Sequence, residues 1–340
     1  MFRRFADIIN RDLKKTNRAI VSLGCSFVEG QGAVNDELYT DYTWVYETLG
    51  VPLQLQATDQ EKQDICSKYP NVGKGPDGKL DFTFMEIENS FVSKLCKKYF
   101  NETYTPINLG MRGKGNRGTI KELSMHPELN WNDAKEIIVV YCPSGMERFD
   151  FFADQCFEHG GRYECMWPNY QDKDGPKRLL WEGYSKLIWS DKFGVLEQIG
   201  HMQELKMWCK IHNAQLIITP SFDRRYNRKS FIQHLSSTVR RDADMNLVEI
   251  ITSGFLSGLT YDTSSVDLWP WESMFRPDGD ETFIDLLIKK EEPTDFSYKT
   301  IMDYFGNAGP NGWITSCAHP TAKGHDYFAK LLFEHICKNI

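Results

Sequence analysis

The sequence lacks any apolar run long enough to cross a bilayer, and it has no segment in which basic residues gather. Lysine and arginine number 40 against 47 aspartates and glutamates, a formal net charge of −7, and the basic residues are scattered along the chain. Internal repeats and low-complexity tracts are also missing, and the hydrophobic fraction of 41% is that of a globular protein. We therefore predict a globular protein that partners neither nucleic acid nor membrane.

The nine cysteines are odd in number and irregularly spaced, which favours reduced thiols over a disulfide framework. Arg11 and Asp12 interrupt the apolar core that a secretion signal would need. We therefore expect a cytoplasmic location. One helical face near the start is apolar, and we expect it to pack against the domain; its residues are Phe2, Phe5, Ile8, Ile9 and Leu13.

Short apolar runs alternate with segments of helical periodicity. The runs are Ala19 to Leu23, Ile107 to Leu109, Ile137 to Tyr141 and Leu216 to Thr219. Helical spacing recurs in Leu196, Ile199, Met202, Leu205 and Trp208, and again in Phe328, Leu331, Leu332 and Ile336. This alternation predicts βαβ units, a mostly parallel sheet and helices that lie against it.

Three stretches break this alternation, and we interpret them as large insertions into a single domain over 1–340. They span about 31–88, 151–190 and 224–309. The first contains a turn-rich segment, 71–78, which predicts a loop. The third is rich in aromatic residues around Trp269 and Trp271, which predicts either packing on the core or a wall of a binding pocket.

A serine and a histidine near opposite ends of the chain carry the chemical signal. Ser26 stands in Gly24-Cys25-Ser26-Phe27-Val28-Glu29-Gly30, where a strand gives way to a turn at the edge of a parallel sheet that binds ligands. His319 lies in Cys317-Ala318-His319-Pro320, just before the last helix. A serine hydroxyl becomes nucleophilic when a base lies within hydrogen-bond reach, so the pair predicts a serine hydrolase. Val28 stands where a Gly-x-Ser-x-Gly elbow has its second glycine, which argues against an α/β-hydrolase.

These motifs resemble those of the SGNH, or GDSL-type, hydrolases. The first block has cysteine in place of aspartate, and the ending His319-Pro320-Thr321-Ala322-Lys323-Gly324-His325 is the most specific part of the match. The second block, Asn108 to Gly113, matches an Asn-x-x-x-x-Gly setting. The resemblance implies Ser26 as nucleophile, His319 as general base, and the amides of Ser26 and Gly113 as oxyanion donors.

The chain departs from that family at two positions. Glu147 stands where a Gly-x-Asn-Asp block would place its asparagine, and an ionised carboxylate cannot donate a hydrogen bond. We consider Asn116, Ser144 and Arg148 as substitutes, with Asn116 as the candidate donor. Ser316 replaces the aspartate that orients the histidine, so either Ser316 orients it or a carboxylate comes from elsewhere.

The resemblance implies a flavodoxin-like three-layer α/β/α fold and an esterase that needs no cofactor and no metal. Its expected substrate is a small acyl ester, such as an acetyl ester, on a carbohydrate or other polar carrier. The departures motivate a rival hypothesis, a weakened SGNH-fold virion or tail component or glycan-binding module, because similar combinations resemble bacteriophage reading frames. That hypothesis adds virion assembly partners and a virion location. Acyl transfer to an acceptor alcohol is a third possibility on the same residues.

Three smaller features have alternatives of their own. The glycines at 110, 113 and 115, with Arg112 and Lys114, could form a phosphate-binding loop, although no Gly-x-Gly-x-x-Gly or Walker pattern is present. Cys156, His159 and Cys165 could supply three zinc ligands, but a fourth has no defined spacing. His325 is expected to be a structural helix residue.

Overall fold

The computed structural model describes residues 2–33, 60, 82–111, 113–126, 129–152, 163–166, 176–185, 189–236, 263–277, 279, 282–291, 309, 311–315 and 318–339. The strands are β1 (Arg18–Gly24), β2 (Thr105–Asn108), β3 (Glu136–Cys142), β4 (Phe149–Phe152), β5 (Tyr163–Met166) and β6 (Gln215–Ile218). The helices are α1 (Phe2–Thr16), α2 (Ser26–Glu29), α3 (Phe82–Asn89), α4 (Phe91–Lys94), α5 (Asn116–Met125), α6 (Pro176–Gly183), α7 (Asp191–Ile211), α8 (Arg228–Ser236), α9 (Phe283–Glu291) and α10 (Ala322–Asn339). A turn of π-helix, Leu95–Tyr99, extends α4.

Four strands form one parallel sheet in the order β2-β1-β3-β6. A single parallel bridge from Ile218 to Met274 places the chain where a fifth strand would lie. This order is that of the flavodoxin-like doubly wound folds, whose ligands bind beyond the carboxyl ends of the strands near β1 and β3. The predicted α/β class with a mostly parallel sheet is confirmed, and a separate antiparallel pair joins β4 to β5.

Helices cover both faces of the sheet because the strands are apolar on both sides. Ile20 belongs to a core layer built with α4, α9 and α10, whereas the next residue, Val21, belongs to a layer built with α1, α5, α7 and α8. Both side chains are fully buried. Each such side chain stabilises the fold by about 1.5–3 kcal/mol relative to an exposed one, which explains why these strands are continuous apolar runs.

The helix residues expected from periodicity lie against the core, and three of them are only half-buried: Leu196, Trp208 and Leu331. Ile199, Met202 and Leu205 of α7 and Phe328, Leu332 and Ile336 of α10 are buried. Ser190 caps the start of α7, where its hydroxyl accepts a hydrogen bond from Phe193 N at 3.1 Å. In α1, Leu13 is fully buried, while the side chains of residues 2–8 lie outside the described part.

The aromatic part of the third irregular stretch packs on the core. Trp269 is 1% exposed and contacts Tyr226 and Phe231, with ring centroids 5.6 and 5.2 Å away. The same stretch supplies α9, whose Phe283 stacks on Phe328 of α10 at 4.0 Å. Trp269 therefore packs on the core and does not form a pocket wall. The turn-rich segment 71–78 lies outside the described residues.

Among the helices that the structure describes, none combines the length and apolar character that a bilayer span requires.

Candidate active site

Ser26 lies at the carboxyl end of the central strand β1, as the first residue of α2. The chain turns so tightly there that a Cβ on Gly24 would lie 2.3 Å from Val28 Cγ2 and 2.9 Å from Cys142 O. Only glycine fits at that position. The side chain of Ser26 therefore emerges at the edge where the sheet order reverses, and the residue is 6% exposed.

His319 meets Ser26 from the opposite end of the chain. Its Nε2 lies 2.7 Å from Ser26 Oγ, although the two residues are 293 positions apart. This separation is that of a hydrogen bond, the contact through which a neutral imidazole nitrogen accepts a hydroxyl proton. The two residues singled out by sequence are therefore in hydrogen-bond contact, which nucleophilic catalysis by a serine requires.

Contacts on several sides hold His319 in place. Thr315 N donates to His319 O at 2.8 Å, and His319 N donates to Thr315 Oγ1 at 3.2 Å. The imidazole lies against the Phe27 ring, with centroids 4.7 Å apart. Gly32 has φ +85°, and a Cβ at this position would lie 3.3 Å from His319 Cβ. A glycine here therefore leaves room for the histidine. Ala318 adopts φ +62°, a left-handed conformation that is uncommon for alanine and often marks functional sites.

Asn108 ties the second strand to the helix that carries Ser26. Its amide nitrogen donates to Val28 O at 3.0 Å and to Glu29 O at 3.3 Å. Its oxygen accepts from Gly110 N at 2.9 Å and from Ser22 Oγ at 3.3 Å. The asparagine of the second block therefore satisfies carbonyls at the end of α2 that have no partner within the helix.

The glycine loop after β2 runs beside Ser26. Met111 N donates to Gly24 O at 3.0 Å, and Gly110 packs on α2 so closely that a Cβ would lie 2.5 Å from Glu29 N. Gly113 has φ +77°, which favours glycine. Lys114 does not serve a phosphate site, because its side chain is only 5% exposed and its Nζ lies 3.3 Å from Glu122 Oε1. Arg112 lies outside the described residues.

Asn116 is not placed to donate to an oxyanion, which corrects that expectation. Its amide nitrogen donates to Tyr226 Oη at 2.7 Å and to Ser144 O at 3.3 Å, so both hydrogens are used within the protein. Its oxygen accepts from Ser144 N at 2.8 Å and from Ser144 Oγ at 3.2 Å. The Asn116 and Ser144 side chains thus bond each other, which removes Ser144 as a substitute donor as well.

The Glu147 carboxylate forms an ion pair with the Arg225 guanidinium. Arg225 also pairs with the carboxylate of Asp223. Burial lowers the pKa of Arg225, but the two carboxylates together outweigh burial and keep that pKa above its ordinary value. Asp223 also accepts from Met146 N at 3.1 Å. The block that would carry an asparagine donor is therefore folded into an ion-pair network.

Arg148 lies at the end of an aromatic row that starts at His319. Phe27 contacts His319, Phe222 lies 5.3 Å from Phe27, and the Arg148 guanidinium lies 5.6 Å from the Phe222 centroid. Arg148 Nη1 donates to Lys114 O at 2.9 Å. Phe222 and Arg148 are partly exposed, so this row can form one wall of a substrate site.

Asp150 lies beside the glycine loop and was not predicted from the sequence. It is 2% exposed in β4 and accepts from Gly115 N at 2.9 Å and Gly118 N at 2.8 Å, at the start of α5. Burial raises the pKa of its carboxyl, while the two N–H groups and the Cys165 thiol lower it. The available signal was one acidic residue inside the apolar segment Phe149-Asp150-Phe151-Phe152.

His325 is buried and neutral, in line with a structural role. It is fully buried, its Nδ1 accepts from Phe91 N at 3.1 Å, and its ring stacks on Phe91. Burial lowers its pKa to about 3, with smaller contributions from Lys94 and His319. A base this weak cannot serve near neutral pH.

The remaining sequence candidates lie wholly or partly outside the described residues. Ser316, the orienting candidate, is one of them, as are Cys156 and His159. Cys165 is described, is 7% exposed and hydrogen-bonds Asp150. Across the described ranges, histidine, cysteine and acidic side chains form no group that could hold a metal ion.

Comparison with known proteins adds little to this geometry. No protein-family profile matches the sequence, and a search of curated proteins found no match. A structural search matched a predicted lipolytic protein of the G-D-S-L family from Desulfitobacterium hafniense DCB-2. The two are 9% identical with a TM-score of 0.34, over 93% of this chain and 98% of that one. A likeness this weak establishes neither a common fold nor a common activity.

Proposed function

We propose that this chain is a serine esterase of the SGNH type that works through Ser26 and His319. One observation carries the proposal, the 2.7 Å contact between Ser26 Oγ and His319 Nε2 at the carboxyl edge of the sheet. Composition, core packing and strand order do not require a serine and a histidine from opposite ends of the chain to meet there. Nucleophilic catalysis does require it.

In the proposed reaction, Ser26 Oγ attacks the ester carbonyl while its proton passes to His319 Nε2. The amides of Ser26 and Gly113 stabilise the oxyanion, the intermediate collapses, and the imidazolium returns the proton to the leaving alcohol. Water, deprotonated by His319, then attacks the acyl-enzyme and releases the acid and free Ser26. No cofactor takes part in these steps.

We further propose a small acyl ester, acetyl being the simplest, on a carbohydrate or other polar carrier. The partly exposed Phe222 and Arg148 support this, because an aromatic face and a guanidinium suit the apolar and polar surfaces of a sugar. The capture of Asn116 by Ser144 and Tyr226 removes the side-chain donor that was expected beside the two backbone donors. A missing donor typically costs about 2.7–4 kcal/mol of transition-state stabilisation, so we expect slow turnover.

Hydrolysis of p-nitrophenyl acetate and of an acetylated oligosaccharide tests the proposal. Ser26→Ala should abolish both activities, and His319→Ala should reduce kcat by about 10²–10⁴-fold. Matched controls are Ser124→Ala, an exposed serine of α5, and His335→Ala, on α10. An activity that survives in Ser26→Ala at the wild-type rate would contradict the proposal.

The rival, a virion or tail component or a glycan-binding module that has lost turnover, is favoured by the pairing of Glu147 with Arg225. It predicts that the wild-type protein binds glycan without hydrolysing either ester. Products formed with and without an added acceptor alcohol separate hydrolysis from acyl transfer, which uses the same residues.

A further inference from the structure

The segment after β3 reaches back to the glycine loop through two side chains that lie two positions apart. Arg148 Nη1 donates to Lys114 O at 2.9 Å, and the Asp150 carboxylate accepts from Gly115 N at 2.9 Å and Gly118 N at 2.8 Å. Side chains at positions i and i+2 of an extended chain point to the same side. Both residues therefore hold the main chain that follows Gly113.

Asp150 approaches the loop so closely that it determines one residue of it. A Cβ on Gly115 would lie 2.6 Å from Asp150 Oδ2, so any larger residue would push the carboxylate away. Burial of a carboxylate is costly unless hydrogen bonds compensate for it. Here each oxygen accepts a separate N–H group, an arrangement that a neutral amide cannot reproduce.

Gly113 has no side chain that could fix the direction of its amide. It has φ +77°, and glycine has the greatest backbone freedom of any residue. Its orientation must come from its neighbours. Beyond Arg148 and Asp150, the ion pair of Lys114 with Glu122 and the bonds of Asn116 to Ser144 anchor the residues that follow.

We infer that Asp150 is a positioning residue for the oxyanion hole, fixing Gly115 so that the Gly113 amide stays directed at the substrate carbonyl. This inference rests on the proposed function, in which Gly113 is one of two oxyanion donors. Asp150 acts only through the loop and touches no reacting atom. Its removal should therefore weaken the binding of the transition state more than the binding of the substrate.

The test uses Asp150→Asn in the full chain with p-nitrophenyl acetate. We expect kcat to fall about 10–100-fold while KM changes less than about threefold, because a donor displaced by a fraction of an ångström fails mainly in the transition state. Affinity for phenylboronic acid, which forms a tetrahedral anion on serine, should fall by the same factor as kcat/KM. A merely structural role would not produce this split.

Asp223→Asn is the matched control. Asp223 is 7% exposed and accepts from Met146 N and Arg225 N, so it holds the turn before Arg148 and does not contact the glycine loop through these bonds. We expect it to lower stability while kcat stays within about threefold of wild type. If Asp150→Asn fails to fold, Gly115→Ala perturbs the same contact and should lower kcat in the same direction.

Two results would overturn the inference. One is an active wild-type enzyme whose Asp150→Asn or Gly115→Ala variant, shown to be folded at the assay temperature, keeps its kcat. The other is a loss of kcat that Asp223→Asn matches. Failure of the proposed function is distinct, since it shows in the wild-type protein as hydrolysis equal to that of Ser26→Ala, and the inference then falls with it.

Discussion

Substitution of Asn108 by aspartate should disorder the helix that carries Ser26 without changing the shape of the side chain. The carboxylate can still accept from Gly110 N and Ser22 Oγ, but it loses the bonds to Val28 O and Glu29 O. Each buried polar group left without a partner costs about 1–3 kcal/mol. Because the site is only part-buried, we expect a loss of about 2–4 kcal/mol in the free energy of unfolding.

Urea unfolding measures the stability loss, and the rate of fluorophosphonate labelling measures its effect on the nucleophile. We expect labelling to slow about tenfold to hundredfold, since small displacements of reacting groups have effects of that size. Asn339→Asp is the matched control, because Asn339 also donates to a helix carbonyl, His335 O at 2.7 Å, but is exposed. A stability loss for Asn108→Asp within about 0.5 kcal/mol of that control, with unchanged labelling, would refute the reasoning.

Two further predictions concern stability. Gly115→Ala should destabilise the protein by about 1–3 kcal/mol because its Cβ would meet the Asp150 carboxylate, whereas Gly200→Ala should stabilise it by about 0.5–1 kcal/mol because that helical position is open. Denaturant titration measures both changes, and a Gly115→Ala variant as stable as the wild-type protein would contradict the first prediction. Burial lowers the pKa of His325 to about 3, against 6.5 in the unfolded chain. Between pH 3 and pH 6.5 the unfolded chain therefore binds more protons than the folded protein. The free energy of unfolding rises with pH in that range by about 1.4 kcal/mol per pH unit. His325→Gln should remove that slope in unfolding experiments from pH 4 to 6, and a slope equal to wild type would contradict the assignment.

Much of the fold could be predicted because its signals are local. The four apolar runs became the four parallel strands, and the helical spacing of Met202 and Leu332 placed their side chains in the core. The meeting of Ser26 and His319 was predictable for a related reason. The end of β1 fixes one residue, and the start of α10 places the other at the same edge of the sheet.

The errors and omissions have a common physical cause, since they depend on contacts across the sheet edge that sequence spacing does not encode. Asn116 was a reasonable donor by position, but Tyr226, which lies 110 residues away, takes one of its amide hydrogens. Asp150 carried no motif, yet the close approach of its carboxylate accounts for glycine at position 115. The role of a polar residue beside a site depends on its hydrogen-bond partners, and those partners come from distant segments of the chain.

The central claim is that His319 makes the hydroxyl of Ser26 nucleophilic. Mass spectrometry of the protein after treatment with a fluorophosphonate tests it most directly, because the reagent reacts preferentially with an activated serine hydroxyl and the modified residue can be located. We expect a single adduct on Ser26 in the wild-type protein and in His335→Ala, and loss of that adduct in His319→Ala. Absence of any adduct in the wild-type protein, or equal labelling of Ser26 when His319 is replaced, would contradict the claim.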